Sequence, residues 1–256
     1  MSEVAVGALF AILLFAGSLG LIAVGRTVRI RDQALHGTAA GAGLGPVESG
    51  VFALMGLLLA FSFSGAGQRF NERRMLVIEE INAIGTAYAR LDLLPSDARE
   101  NLRMTFREYV DQRIALHRAV PRSAAAEAAI QRTLALQGRI WTLSVAGVNT
   151  APNSTLAGPL LAAVGEMHDS AVIRLTAATI HPPWIVFALL GIAILGSSLL
   201  AGYSMGAGPW SWMHAVGFAA LLAATVYVII DLEYPRLGLF QISATDQLLE
   251  QLRARL

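Results

Sequence analysis

The chain has 256 residues, of which 55% are hydrophobic and only 14% charged, with a formal net charge of +1 and no cysteine. Soluble domains carry about 25% charged residues, so an ordinary soluble globule is excluded, and a charge this close to zero offers no footprint for nucleic acid. The lack of cysteine removes disulfides and thiolate metal sites, and the lack of lysine makes all nineteen basic residues arginine; with so much Ala, Leu and Gly, the composition points to a GC-rich bacterial genome.

In chain order, Val4 to Gly25 is free of charge and matches one bilayer crossing of roughly 20 residues. It predicts a first span over about 4–25. Glu3 precedes it with no basic residue, which favours a retained helix over a cleaved leader. A polar, Gly-rich connection is expected from Arg26 to Gly50, with Arg29 and Arg31 in it. Ser49 to Gln68 is again charge-free and predicts span two over about 49–66. No proline follows before Leu94, and Phe70, Val77, Ile81, Ile84 and Tyr88 recur near helical spacing. One long helix is therefore expected from 49 to 94, roughly 70 Å at 1.5 Å per residue, leaving the membrane near Arg69.

Pro95 stops that helix. Ser96 is a candidate N-cap for the next, with Asp97 and Glu100 complementing the dipole and Leu102, Phe106, Tyr109, Val110 and Ile114 as its apolar stripe. After a linker at 119–123, a helix to about Gly147 is expected to turn Ile130, Leu134 and Trp141 inward. A turn at 149–153 leads to a further helix that starts between Ser154 and Pro159 and carries Leu160, Val164, Met167 and Ala171. Residues 175–230 then hold no Asp, Glu, Lys or Arg over 56 positions, more than twice the roughly 20 that one crossing needs. Gly206-Ala207-Gly208-Pro209 breaks the run into span three, about 183–204, and span four, about 211–231. A polar tail with a short amphipathic segment ends at Leu256. No strand signal or internal repeat is present.

The fold expected is thus an all-α membrane protein: four transmembrane helices with a helical cytosolic insert between spans two and three. The divisions are 1–66 for spans one and two, 67–182 for the insert, 183–231 for spans three and four, and 232–256 for the tail. Arg69, Arg73, Arg74, Arg174 and Arg236 lie on the side of the insert, against Arg26, Arg29 and Arg31 on the other. By the positive-inside rule the insert and both termini are cytoplasmic, in the inner membrane of a bacterium.

The stretch Leu57 to Arg74 changes from apolar to polar within one step at Arg69. Small residues Ser62, Ser64, Gly65, Ala66 and Gly67 permit close helix approach, and Phe61 and Phe63 sit among them. Leu57, Phe61 and Phe63 suit packing against lipid or a neighbouring helix. Arg69, Arg73 and Arg74 suit a membrane-edge anchor. Arg69 and Glu72, three apart, suit an intrahelical ion pair of roughly 0.2–0.5 kcal/mol. Glu79 and Glu80 have no basic residue three or four places away, so they read as a solvated face or as partners of Arg on another helix. Glu166 and Asp169 share a face while His168 points elsewhere, and no fourth ligand is at hand, so no metal site is expected. His181 reads as a helix-end residue. His214 is a functional suspect only if it lies within the membrane rather than at its interface. No phosphate loop, nucleophile elbow or His-Glu-x-x-His is present, so no enzyme and no cofactor are expected.

The end of span two resembles the pore helix of bestrophins, the ion channels of eukaryotes and bacteria. The prokaryotic pattern of Arg, two aromatics, Glu and a further Arg is matched by Arg69, Phe70, Glu72 and Arg74, with Asn71 replacing the second aromatic. Asp231-Leu-Glu-Tyr-Pro-Arg-Leu-Gly238, followed by Asp246 and Leu248, is similar to the segment after their last span. The phrases Phe61-Ser-Phe-Ser-Gly-Ala66, Asn82-Ala-Ile-Gly-Thr-Ala-Tyr88 and Leu91-Asp-Leu-Leu-Pro95 resemble an uncharacterised bacterial bestrophin-like family over nearly the whole chain. The resemblance implies a homo-oligomer, by analogy a pentamer, in the lipid bilayer, passing small inorganic ions and more readily anions such as chloride. Its pore-lining residues would be Ala53, Leu57, Phe61 and Ser64, with Phe61 and Leu57 narrowest, and Arg69, Glu72 and Arg73 at the mouth. Ala53 departs from the family's bulky neck residues. Asp231 and Glu233 are too sparse for the calcium clasp of animal bestrophins, so no calcium gating is expected. The rival expectation is a non-conducting membrane scaffold or sensor that acts through the helical insert.

Overall fold

The computed structural model describes residues 3–37, 45–120, 123–206, 211–234 and 243–256. Among the described residues all regular structure is helical: α1 (Glu3–His36), α2 (Gly45–Ala89), a short 3₁₀ turn (Arg90–Leu93), α3 (Ser96–Arg118), α4 (Ala124–Thr150), α5 (Ser154–Ala177), α6 (Trp184–Ser204), α7 (Trp212–Glu233) and α8 (Ser243–Arg255). Four of these, α1, α2, α6 and α7, are long and apolar enough to cross a bilayer. The chain forms two compact units. One comprises Met1–Phe70 and His181–Phe240, the other Asn71–Ile180 and Gln241–Leu256.

In the first unit α1 packs along α6 and α7. Lipid is as apolar as leucine, so helices in a bilayer gain little from hydrophobic burial and associate by close packing. The closest approach is at two glycines. A Cβ on Gly25 would lie 2.0 Å from the Leu199 carbonyl oxygen, and one on Gly202 would lie 2.0 Å from that of Ile22. Ser18 on α1 and Ser197 and Ser198 on α6 are buried along with them. Leu14, Met55, Leu190, Ile194, Val226 and Ile229 fill the rest of the interior.

The first helix differs from expectation. It does not end near Gly25 but continues to His36. Arg26 to Leu35 contain no glycine or proline, and the extension is tied down locally. Asp32 meets His36 one turn on at 2.8 Å. The Arg29 guanidinium lies 5.0 Å from the centre of the Tyr203 ring, and the Tyr203 hydroxyl donates to Asp32. Gly37, at φ +59°, provides the left-handed stop. Gly206 follows α6 at φ +67°; the rest of the expected break, Ala207-Gly208-Pro209, and the Pro235–Gly238 part of the tail motif lie outside the described residues.

The second unit is built from the C-terminal half of α2, the 3₁₀ turn, α3, α4, α5 and α8. Its core includes Ile84, Leu91, Leu102, Phe106, Tyr109 and Val110, with Leu160, Val164 and Met167 from α5. The long helix ends one turn before the expected Leu94, because Arg90–Leu93 tighten into the 3₁₀ turn ahead of Pro95. Pro95 rather than Ser96 occupies the cap position of α3. The Ser96 hydroxyl donates to Asp97 instead of accepting from the helix. Ser123 does cap α4, accepting from the Ala126 amide at 3.1 Å.

A second correction concerns α4. Leu134 and Trp141, expected inside, are 48% and 43% exposed. Its buried stripe is Ala126, Ala129, Thr133, Gln137, Ile140 and Ser144. The helix has two apolar flanks, and the one with small residues faces inward because α4 lies close against α3.

The glycine contact yields the first prediction. Gly25→Ala places a methyl group against backbone that no rotamer change can move, so the variant will unfold in detergent about 3 kcal/mol more easily, the upper end of typical overpacking costs. Gly20→Ala, whose Cβ meets nothing within 4 Å, will be neutral in the same thermal melt. Equal behaviour of the two would refute the close-approach account.

Candidate functional site

α2 presents two different faces in the first unit. One turns Met55 and Ala66 into the interior, with Phe52, Leu58, Leu59 and Phe70 partly covered. The other holds Ala53, Leu57, Phe61 and Ser64, all exposed. They follow one another at steps of four, four and three residues, which keeps them on one side of a helix. Leu57 is 50% exposed and Phe61 68%. The four residues expected to line a pore therefore form one mostly apolar stripe that no other described residue covers.

At the end of this stretch Arg69 acquires a partner the sequence did not disclose. Its Nε and Nη2 donate to Glu233 Oε1 at 2.8 and 2.5 Å. Spacing alone had pointed Arg69 toward Glu72. Glu233, at the end of α7, is 1% exposed. A buried carboxylate is tolerated only when paired, and Arg supplies a planar fork suited to it. His181 Nδ1 lies 3.9 Å from Glu233 Oε2, and its ring stacks on Tyr234 with centroids 4.7 Å apart. His181 thus belongs to a polar cluster with Arg69, Glu233 and Tyr234. The signal for Glu233 was its place in the acidic motif after span four, but nothing in sequence spacing joins residues 164 positions apart.

Of the other expected mouth residues, Glu72 is exposed. Arg73 donates to the carbonyl oxygens of Ala177 and Ile180 at 3.4 and 2.9 Å, so it covers the C-terminal end of α5, where helix carbonyls lack partners. His214 stands in the first turn of α7 beside Ser211 Oγ at 2.5 Å and is exposed. His168 is half-buried against the Trp141 ring, and burial lowers its pKa. Glu166 and Asp169 are exposed, and among the described residues no three His, Asp or Glu side chains converge as metal ligands.

The second unit contains a buried charge cluster. Glu80 is 0% exposed. Arg174 Nη1 donates to its Oε2, and Arg113 Nε stands 2.5 Å from its Oε1. Arg113 is 2% exposed and Arg174 8%. Arg174 Nη2 also donates to His117 Nδ1 at 2.7 Å. Burial works against the charge on Arg113, but the Glu80 carboxylate, the neighbouring Tyr109 and a hydrogen bond to Glu80 together raise its pKa. Tyr109, beside the cluster, receives a hydrogen bond from Gln137 at 3.4 Å, and burial pushes its pKa up to about 12. Of the two readings left open for Glu80, the structure gives the partner of Arg on neighbouring helices; Glu79 is exposed. The signal was present in the pattern. Glu80 lies between Val77 and Ile84, Arg113 after Tyr109 and Val110, and Arg174 after Ala171, each on the apolar stripe of its own helix.

Two predictions follow from the ionic contacts. Arg69→Met leaves Glu233 buried without its guanidinium and will cost about 3–5 kcal/mol. The double variant Arg69→Met with Glu233→Gln will recover much of that loss, and a double-mutant cycle by chemical denaturation measures the difference. Tyr109, with a folded-state pKa raised from 10.0 to about 12, keeps its proton longer in the folded than in the unfolded chain. Its contribution is therefore whole below pH 10 and lost as pH rises through about 12, a loss of about 2–3 kcal/mol. Alkaline melts of the wild type and Tyr109→Phe will diverge over that window; parallel curves would refute the burial of the phenol.

No curated protein and no solved structure matches the chain significantly. A family model does: the Bestrophin-like domain aligns with residues 7–247. That match covers almost the whole chain, takes in all four apolar helices and the helical insert, and makes the chain a multi-pass membrane protein of the bestrophin-like family.

Proposed function

We propose that the protein is an oligomeric, bestrophin-like ion channel whose pore is lined by the first half of α2. The observation that carries the reading is the uncovered apolar stripe of Ala53, Leu57, Phe61 and Ser64 on a helix whose opposite face is packed. In a ring of identical subunits, by resemblance five, such a stripe would face the axis. Phe61 and Leu57 would form two apolar constrictions, which can gate by dewetting without any charge. Anion preference comes from the resemblance; Arg69, whose charge Glu233 balances, adds little fixed positive potential to it. The chemistry proposed is passage of small inorganic ions, not catalysis. The setting proposed is the inner membrane of a bacterium, with the insert and both termini cytoplasmic by the arginine count.

A second reading has its own observation. Leu134 and Trp141 stand exposed on α4, as a scaffold or sensor that binds a partner through its helical insert would require.

The test is ion flux through the purified full chain in liposomes, wild type beside Phe61→Ala. Truncating the ring opens the constriction, so flux rises several-fold in the variant, and anion substitution ranks selectivity. Absence of flux from both proteins, for anions and cations alike, overturns the channel reading in favour of the scaffold.

A further inference from the structure

Resting on the channel reading above, we infer that the pore selects cations over anions and that Glu79, with Glu72, sets the selection. Helix α2 is unbroken from Gly45 to Ala89, so the stripe of Ala53, Leu57, Phe61 and Ser64 has a continuation. Beyond Arg69 the exposed positions Glu72, Met75, Glu79, Asn82 and Thr86 recur at steps of three and four, the spacing of one helix face. Phe61 and Glu79 are 18 positions apart, about five turns at 3.6 residues each, and so stand on one side of the helix. In the second unit the other side of α2, with Val77, Glu80, Ile84 and Ala87, is buried.

The charge on this face has one sign. Between Ala53 and Thr86 it carries two carboxylates and no guanidinium. Arg69 is turned to Glu233, and Arg73 to the carbonyl oxygens of Ala177 and Ile180. Arg74, next to Met75, stands about 100° round the helix from it. Glu79 is exposed and pairs with no cation among the described residues. In a ring of copies Glu79 recurs at one level, and a wall of one sign draws the opposite ion. The levels of Leu57 and Phe61 hold no charge with which to choose a sign, so the choice falls to the carboxylates. Glu79 lies about 27 Å along the helix from Phe61, and acts as an entrance that enriches cations rather than as a second constriction. This reverses the anion preference that the resemblance implies.

The experiment uses the full chain in planar bilayers under a potassium chloride gradient, where the sign of the reversal potential reports which ion passes. The wild type reverses toward the potassium equilibrium potential. Glu79→Gln lowers the ratio of potassium to chloride permeability several-fold, and Glu79→Arg turns it toward chloride. Glu127→Gln, which removes an exposed acid on α4 bonded to Gln131, leaves it unchanged. Raising the salt from about 0.1 M to about 1 M shortens the Debye length from about 10 Å to about 3 Å, so the wild-type preference weakens while that of Glu79→Gln barely moves. A wild type that reverses toward chloride, or a ratio unmoved by Glu79→Gln, overturns the acidic entrance and leaves the channel standing. Absence of all current overturns both. Should the variants fail to fold, the wild type decides: a potassium preference that fades with salt supports the acidic face, and one indifferent to salt overturns it.

Discussion

A carboxylate removed from water must meet a guanidinium, and this requirement organises both units of the chain. Glu233 and Glu80 are almost wholly buried. Each is held by arginine from another helix: Arg69 for the first, Arg113 and Arg174 for the second. Helix α2 contributes to both, with its cation in one unit and its anion in the other. Such pairs add little net stability against a well-packed apolar alternative, because desolvation consumes most of the Coulombic gain. Their effect is on register. Glu80 lies on the apolar stripe of α2, and sliding α2 by one residue against α3 and α5 would leave three buried charges without partners. The all-arginine composition suits this role, since a guanidinium reaches two acceptors at once, as Arg174 does with Glu80 and His117.

The two units solve the packing problem differently. In the membrane unit, contact is made by backbone approach at Gly25 and Gly202, with small buried serines around it. In the second unit a core of Phe106, Tyr109, Leu102 and Met167 excludes water in the usual way. The small-residue flank of α4 belongs to neither pattern. It brings α4 close to α3 inside the second unit, and as a result Leu134 and Trp141 are turned outward.

What could be read from the sequence follows from what is local in it. Charge-free runs of bilayer length marked α6 and α7, and the start of α2, within a few residues, since length and polarity are properties of a segment alone. The α5 stripe of Leu160, Val164, Met167 and Ala171 was legible because that helix has one apolar face. The extension of α1 past Arg26 was not, because a change from apolar to polar residues marks the end of a membrane span and not of a helix, and nothing before Gly37 breaks the hydrogen-bond ladder. The orientation of α4 was ambiguous for a helix with two apolar flanks. The partners of Arg69 and Glu80 lie 164 and 94 positions away, beyond any spacing rule. The usable clue was the anomaly of a charge on an apolar stripe, which marks burial even when it cannot name the partner.

The outer face of α2 invites the same reasoning. A lipid-facing surface favours uniformly large apolar side chains, which fill the space between acyl tails. This face alternates Ala53, Gly56, Leu57, Ala60, Phe61 and Ser64, all exposed, so small and large residues occupy successive turns and a hydroxyl stands among them. Small residues at membrane depth are enriched where another helix or a narrow space lies opposite, and Ser there finds a hydrogen-bond partner more readily in protein or water than in lipid. Leu57 and Phe61 are one turn apart, so in any ring of copies their side chains would meet at two successive levels. On the channel reading proposed above, this stripe, left bare by the described residues, would face an axis shared with other copies.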